Sequence, residues 1–500
     1  SRIAARLYAL PGVEINARTF REYPYGELTA HFLGYIGRIS DKDQAKLAEE
    51  KLGSLYRGST HIGKSGLESF YERQLHGLPG YREVDGNIIR TLRTVPPQNG
   101  QTLKLAMDIR LQQEAVRLMR GKRGAMVAIN PQTGGVLAFV SNPSFNPNLF
   151  IDGIDGENWK ALNENWQKPL INRVTQGLYP PGSTFKPFMA MALLESGKIT
   201  QSSVIPAPGA WSIPGTKHMF RDSVRSGHGS ANLSKAIQVS SDTFFYRLGF
   251  EMGIEKIRPY LAEFDFGQQT GIDLPNEYRG VLPSPEWKEK RFSKLPPERR
   301  RWNIAEMVPI SIGQGYNAYT PLQMAHATAT LANNGVVYRP HLVKELLDHN
   351  KQQITLIDPK PQRVLPFKQS NFNYVKAAMA KVLQPGGTAR KIGVGLKYSM
   401  GGKTGTAQVV QIAQGKNYNA AALAEQHRDH AWFIAFAPME KPQIAIAVIL
   451  ENGGWGANAA PLARGLSDYY LLKLKSGGDH DIPVDNRNKT GVENPLLAGS

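Results

Sequence analysis

The spacing of apolar positions changes along the chain, and each change marks an element. Residues 188–196 are apolar on nearly every side, which predicts a buried helix stopped by Gly197. Residues 66–76 carry one apolar stripe, Leu67, Phe70, Tyr71 and Leu75, and predict an amphipathic helix ended by the glycines at 77 and 80. Residues 81–94 alternate as strands do. A strand is expected over 102–107 and a helix over 109–119. Residues 125–129 and 136–140 flank Asn130-Pro131-Gln132-Thr133-Gly134-Gly135, a hairpin signal. Over 232–252 a short helix, a break at Ser240-Ser241-Asp242 and a second helix are expected. Residues 431–437 and 443–450 form another apolar hairpin, and 460–475 a closing amphipathic helix.

Strands near both ends with helices between them predict an α+β fold with one central antiparallel sheet, flanked by helices and assembled from distant parts of the chain. The turn-rich stretch 95–100 is the expected boundary between a mixed N-terminal unit, 1–100, and a larger second unit, 101–475. Residues 476–500 are polar and read as a flexible tail. There is no internal repeat.

A chain of 500 residues exceeds one ordinary core, in keeping with that division. Its net charge of +18 favours polyanionic surroundings: nucleic acid, anionic lipid or anionic wall polymer. The absence of cysteine excludes disulfides, a thiol nucleophile and Cys-rich zinc sites. No apolar run reaches the ~18 residues needed to span a bilayer. The first residues do not read as a signal peptide but as a cut end, so a membrane anchor is expected to precede them. Residues 283–302 are rich in Lys and Arg, with Trp287, Phe292 and Trp302 among them. Prolines and interspersed glutamates favour a solvated surface segment there over a nucleic-acid binder.

Candidate chemistry begins at Tyr179-Pro180-Pro181-Gly182-Ser183-Thr184-Phe185-Lys186-Pro187. This places Ser183 at a helix N-terminus, where free N–H groups and the positive dipole end favour an oxyanion. Lys186, three residues on, shares its face. A serine hydroxyl needs a base, and lysine serves only where burial or a second cation lowers its pKa from about 10.4. Taken alone, this pattern describes a helix cap and a surface lysine better than a catalyst. Two further stretches change that: Ser240-Ser241-Asp242, and Gly401-Gly402-Lys403-Thr404-Gly405-Thr406-Ala407 ahead of Val409 and Val410. Ser240 can relay a proton between Lys186 and a leaving amine. Asp242 can fix the lysines or bond a substrate amide. Lys403, Thr404 and Thr406 can hold a carboxylate, and Gly405 admits a bound chain close to the backbone. The N–H groups of Ser183 and Thr406 would form an oxyanion hole. Rival motifs fail: a P-loop needs glycine where Lys397 stands, and a nucleophile elbow needs it at Pro181.

The ordered set resembles that of the class B penicillin-binding proteins. Tyr23-Pro24-Tyr25-Gly26, Gly63-Lys64-Ser65-Gly66-Leu67-Glu68, Ser241-Asp242-Thr243-Phe244-Phe245-Tyr246, Ile312-Gly313-Gln314-Gly315-Tyr316 and Ile449-Leu450-Glu451-Asn452-Gly453-Gly454 resemble the elongation-type members of that class from Gram-negative rods. The resemblance implies a transpeptidase fold on an elongated pedestal and a serine D,D-transpeptidase of peptidoglycan synthesis, inhibited by β-lactams and active in lateral wall elongation and rod shape. It implies Ser183 as the acylated nucleophile, Lys186 as its base, Ser240 and Asp242 as the second motif, and Lys403, Thr404, Gly405 and Thr406 as the third. The second motif usually ends in Asn; the Asp here departs from it, and an ionised carboxylate cannot donate to a substrate amide. The implied partners are peptidoglycan stem peptides, the polymerase RodA and the scaffold MreC, at the periplasmic face of the inner membrane, with no nucleic acid. Some relatives hold zinc near the second motif through Asp, Asp, His and Cys. Here only Asp222 and His228 match, Ala207 and Ser241 filling the other places, so neither metal nor cofactor is expected. The alternatives are a D,D-carboxypeptidase or β-lactam hydrolase on the same residues, or a β-lactam receptor without turnover. A hydrolase of the β-lactamase kind would need an E-x-x-L-N base between Asp242 and Lys403, and none is present.

Overall fold

Residues 124–129, 431–437 and 444–450 contain almost no polar side chain, so their strands must be covered on both faces. The computed structural model, which describes residues 20–85, 90–409 and 427–475, places them at the centre of one sheet. Its strands are β1 (Gly124–Ile129), β2 (Val136–Asn142), β3 (Gly401–Ala407), β4 (His430–Ala437) and β5 (Ile444–Leu450). The spatial order is β3-β4-β5-β1-β2, every pair antiparallel. Chain ends some 300 residues apart thus close one core, and β3 forms one edge.

The helices that serve the site are α1 (Ile109–Met119), α2 (Lys186–Glu195), α3 (Leu233–Val239), α4 (Asp242–Met252), α5 (Pro285–Arg291), α6 (Pro321–Ala332), α7 (Gln369–Lys381) and α8 (Ala460–Asp468). Every residue of α6 is buried, packed on β5 and β1, and a Thr320–Gln323 capping box starts it. Apart from its last residue, Glu195, α2 is also buried throughout, as its all-round apolarity demands. Helices α1 and α8 pack on each other, α1 against β2 and α8 against β4. The sheet therefore carries helices over an apolar interior, the arrangement expected from the pattern of apolar runs.

Tertiary contacts override local pattern in three places. Ser183 does not open the buried helix; it sits in a separate 3-10 turn, Gly182–Phe185, that precedes α2. Residues 66–76 form two short helices, Gly66–Phe70 and Glu72–His76, rather than one. The break is at Tyr71, whose hydroxyl is drawn to Asp273 Oδ2 at 2.9 Å. Asp273 also accepts the backbone N–H groups of Leu342 and Val343, so Tyr71 and the 342–343 backbone meet on one carboxylate. The closing helix changes pitch to a π-helix, Tyr469–Leu474, after α8. The strand Thr102–Leu105 pairs with Val343–Asp348. In the N-terminal unit, Tyr81–Asp85 and Arg90–Val95 form a hairpin. The expected N-terminal cut end and the polar tail at 476–500 lie outside the described residues.

Candidate active site

Three distant stretches meet because β3 runs past the turn that carries Ser183. A Cβ on Gly405 would stand 2.8 Å from Pro181 O and 2.9 Å from Thr184 N. Gly182, at φ +54°, would likewise drive a Cβ to 2.5 Å from Thr406 O. Only glycine at both places lets the two backbones approach so closely. The close approach Gly405 permits is therefore to the chain's own 181–184 turn. Trp432 Nε1 donates to Pro180 O at 3.0 Å, and Gln314 Nε2 to Thr406 O at 2.9 Å, fastening turn and strand together.

The two lysines converge on the second motif. Lys186 Nζ donates to Ser240 O at 2.8 Å, to Ser240 Oγ at 3.2 Å and to Asp242 Oδ1 at 2.6 Å. Lys403 Nζ donates to the same Ser240 Oγ at 2.8 Å and to Thr404 O at 2.9 Å. Both lysines are wholly buried. Burial, with Lys186 beside it, holds the Lys403 ammonium well below the usual lysine range, Asp242 pulling the other way. Ser240 is bent into this position: it follows α3 in the left-handed region at φ +62°, unusual for a residue with a Cβ. Ser183 is partly exposed, and its hydroxyl has no hydrogen-bond partner among the described residues. Thr404 shares a 2.7 Å hydrogen bond with Thr388, and Thr406 Oγ1 accepts Gly456 N at 3.1 Å.

Asp242 begins α4, and its geometry depends on a residue outside the three motifs. Asp222 Oδ2 accepts Asp242 N at 2.8 Å, Thr243 N at 3.2 Å and Ser241 Oγ at 3.0 Å. Its Oδ1 faces His228 Nε2 at 3.1 Å. Burial works against this carboxylate, but the N–H groups of Val224 and Thr243 hold it below the usual range. Asp222 is thus an acceptor for orphan donors at a helix start. The zinc that some relatives hold would need this carboxylate and His228 together with two further ligands. Ala207 offers no side-chain ligand, Ser241 is already donating to Asp222, and that carboxylate is taken up by backbone amides. The residues present do not fit the ion, and no step is derived through one.

A second buried cluster braces the approach to Ser183. Glu451 accepts Arg173 Nε at 2.8 Å, Arg123 Nε at 2.5 Å and the Tyr179 hydroxyl at 2.6 Å. Burial alone would raise its pKa, but Arg173, Tyr179 and Arg123 together hold it low. Tyr179 in turn packs edge-on against Trp432. Neither Glu451 nor Asp222 lies in the three motifs. Nothing local in 449–454 marks Glu451; only the pairing of β5 and β1 brings Arg123 to it.

The penicillin-binding protein transpeptidase domain matches residues 124–468, and the penicillin-binding protein dimerisation domain matches 1–105. The chain belongs to the penicillin-binding protein transpeptidases. The catalytic domain is accordingly that of a peptidoglycan D,D-transpeptidase. Among curated relatives, the peptidoglycan D,D-transpeptidase MrdA of Acinetobacter baumannii is 45% identical over 94% of this chain and 68% of its own length. MrdA of Escherichia coli is 41% identical over 97% of this chain and 76% of its own. Penicillin-binding protein 2 of Pseudomonas aeruginosa, solved with WCK 5153, is 39% identical, with a TM-score of 0.76 over 92% of this chain and 93% of that one. Penicillin-binding protein 2 of Helicobacter pylori, solved with MreC, is 34% identical, with a TM-score of 0.80 over 95% of this chain and 83% of that one. Among the described residues no helix is long and apolar enough to cross a membrane.

Proposed function

We propose that Ser183 is acylated by the penultimate D-Ala carbonyl of a peptidoglycan stem peptide. The observation that carries this reading is one hydroxyl, Ser240 Oγ, within hydrogen-bonding distance of both Lys186 Nζ and Lys403 Nζ. A proton can pass from Lys186 through that hydroxyl to Lys403, the lysine whose burial leaves it readiest to be neutral. Lys186 then takes the Ser183 proton as the C–O bond forms. The N–H groups of Ser183 and Thr406 receive the developing oxyanion. The C–N bond breaks, the amine takes a proton by way of Ser240, and terminal D-Ala leaves. An amine of a second stem attacks the ester, forms the cross-link and returns the proton to Ser183. Lys403, Thr404 and Thr406 hold the terminal carboxylate of the donor, and Gly405 keeps the strand against the nucleophile's turn. Asp242 acts on Lys186 rather than on a substrate amide.

On this reading residues 101–475 are the working unit, part of a pedestal precedes them, and the enzyme acts in the periplasm at the inner membrane beside RodA and MreC. The MreC complex of the Helicobacter relative supports the last point by likeness. Intact mass after incubation with benzylpenicillin tests the nucleophile: the adduct forms on wild type and is absent from Ser183→Ala. An adduct surviving in the variant refutes the assignment. Cross-linking of supplied strands separates transfer from hydrolysis and from binding alone.

A further inference from the structure

The basic stretch after residue 283 takes no part in the chemistry above, yet the fold ties it to the third-motif strand. Gln314, which grips the third-motif strand through Thr406 O, is two residues from Tyr316. Tyr316 is the anvil on which the stretch is held. Trp287 and Phe292 pack on its ring with centroids 5.3 and 5.8 Å away. Lys288 is buried beneath them, paired with Glu306 and donating to Arg301 O at 2.7 Å. Glu306 also accepts the Tyr316 hydroxyl at 3.2 Å. The aromatic residues and Lys288 are therefore the anchor, not a binding face.

What the anchor displays is charge. Lys290, Arg291, Lys294, Arg299 and Arg301 are exposed, and none makes an ion pair among the described residues. Arg300 is half-buried, with its Nε lacking any acceptor. Elsewhere on this chain surface arginines do find carboxylates, as Arg247 does with Glu251 and Arg117 with Glu114. These cations outnumber the exposed Glu286, Glu289 and Glu298 of the same short lobe and repel one another, and an anion that bridges them relieves the repulsion.

We propose that the lobe spanning α5 to Arg301 is a docking surface for polyanionic peptidoglycan strands, engaging the carboxylates of stem peptides other than the one being acylated. The proposal rests on the transpeptidase reading, which supplies the polymer, and on the lobe's place beside the strand that would take the donor. Small β-lactams have no need of the lobe; long strands do.

The test uses the whole chain and compares wild type with Lys290→Glu/Arg291→Glu/Lys294→Glu, and with the milder Lys290→Gln/Arg291→Gln/Lys294→Gln. Binding is measured to soluble uncross-linked strands, to the same strands with their carboxylates amidated, and to phosphatidylglycerol vesicles, at low and at high salt. Acylation by a fluorescent penicillin is followed in parallel. The expected result is strand binding at least ten-fold weaker in the Glu variant and intermediate in the Gln variant. Wild type should lose affinity for amidated strands and in high salt, while penicillin acylation stays within two-fold in every variant. Equal strand binding by all variants overturns the proposal. So does binding to vesicles but not strands, which would make the lobe a lipid-facing surface, and so does parallel loss of acylation, which would make it a support of the cleft. Failure of the transpeptidase reading looks different: wild type itself would not be acylated at Ser183.

Discussion

Two buried clusters in this protein set two cations against one carboxylate, and they resolve the imbalance in opposite ways. At Glu451 both guanidiniums touch the carboxylate, and the Tyr179 hydroxyl adds a third donor. Arginine stays charged, so this cluster can only hold. At Asp242 just one of the two ammonium groups reaches the carboxylate; Lys403 is left on neutral oxygens. Lysine can shed its proton, and in the proposed mechanism that imbalance becomes chemistry. The same charge count thus gives a brace in one place and, on that proposal, a proton relay in the other, decided by which base is present and by whether every charge meets its partner.

The contrast breaks most sharply if either lysine is made apolar. Lys186→Met and Lys403→Met should each lower penicillin acylation by about 10²–10⁴; Lys403→Met should do so with little loss of melting temperature, because its charge meets no carboxylate, whereas Lys186→Met also strands Asp242 and lowers stability. Stopped-flow acylation beside calorimetry checks both halves; a large drop in melting temperature with modest loss of acylation would place these lysines with the brace. Glu451→Ala should do the reverse. It strands two guanidiniums, and equilibrium unfolding in urea should show a loss of about 3–5 kcal/mol. Asp222→Ala leaves the amides at the start of α4 without an acceptor, a loss of about 1–3 kcal/mol. It should also slow acylation, and Asp222→Asn, which keeps an acceptor oxygen, should recover part of both.

The finest test is of proton affinity. NMR titration of lysine 13Cε signals should find Lys403 ionising below ordinary lysines. Lys186→Met removes the repelling cation and should move that titration upward; Asp242→Asn removes the attracting anion and should move it downward. Absence of either movement would sever the coupling. Since the folded state holds Lys403 low, the unfolded chain binds the extra proton between that value and about 10.5. Stability should therefore rise with pH across that window, and Lys403→Met should flatten the rise.

The apolar runs made the sheet and the buried helix legible, because strands covered on both faces cannot hide their composition. The motifs named Ser183, Lys186, Ser240 and Lys403 as candidates, since S-x-x-K and the glycine-rich strand are local patterns. What the pattern could not supply was the path of each hydrogen bond. Lys186 shares the sequence face of Ser183, yet its ammonium turns to Asp242 and Ser240. Asp222 and Glu451 gain their meaning from partners many residues away, where periodicity carries no information. Tyr71 breaks a well-patterned helix for the sake of Asp273, far along the chain.

Ser240 holds its position against the preference of its own backbone. A side chain at φ +62° costs on the order of 1–2 kcal/mol against glycine, and it hangs the one oxygen that both lysines share. Glycine there would relax the backbone but take away an acceptor from two buried ammonium groups, so the strain is held in place by the very charges the oxygen serves.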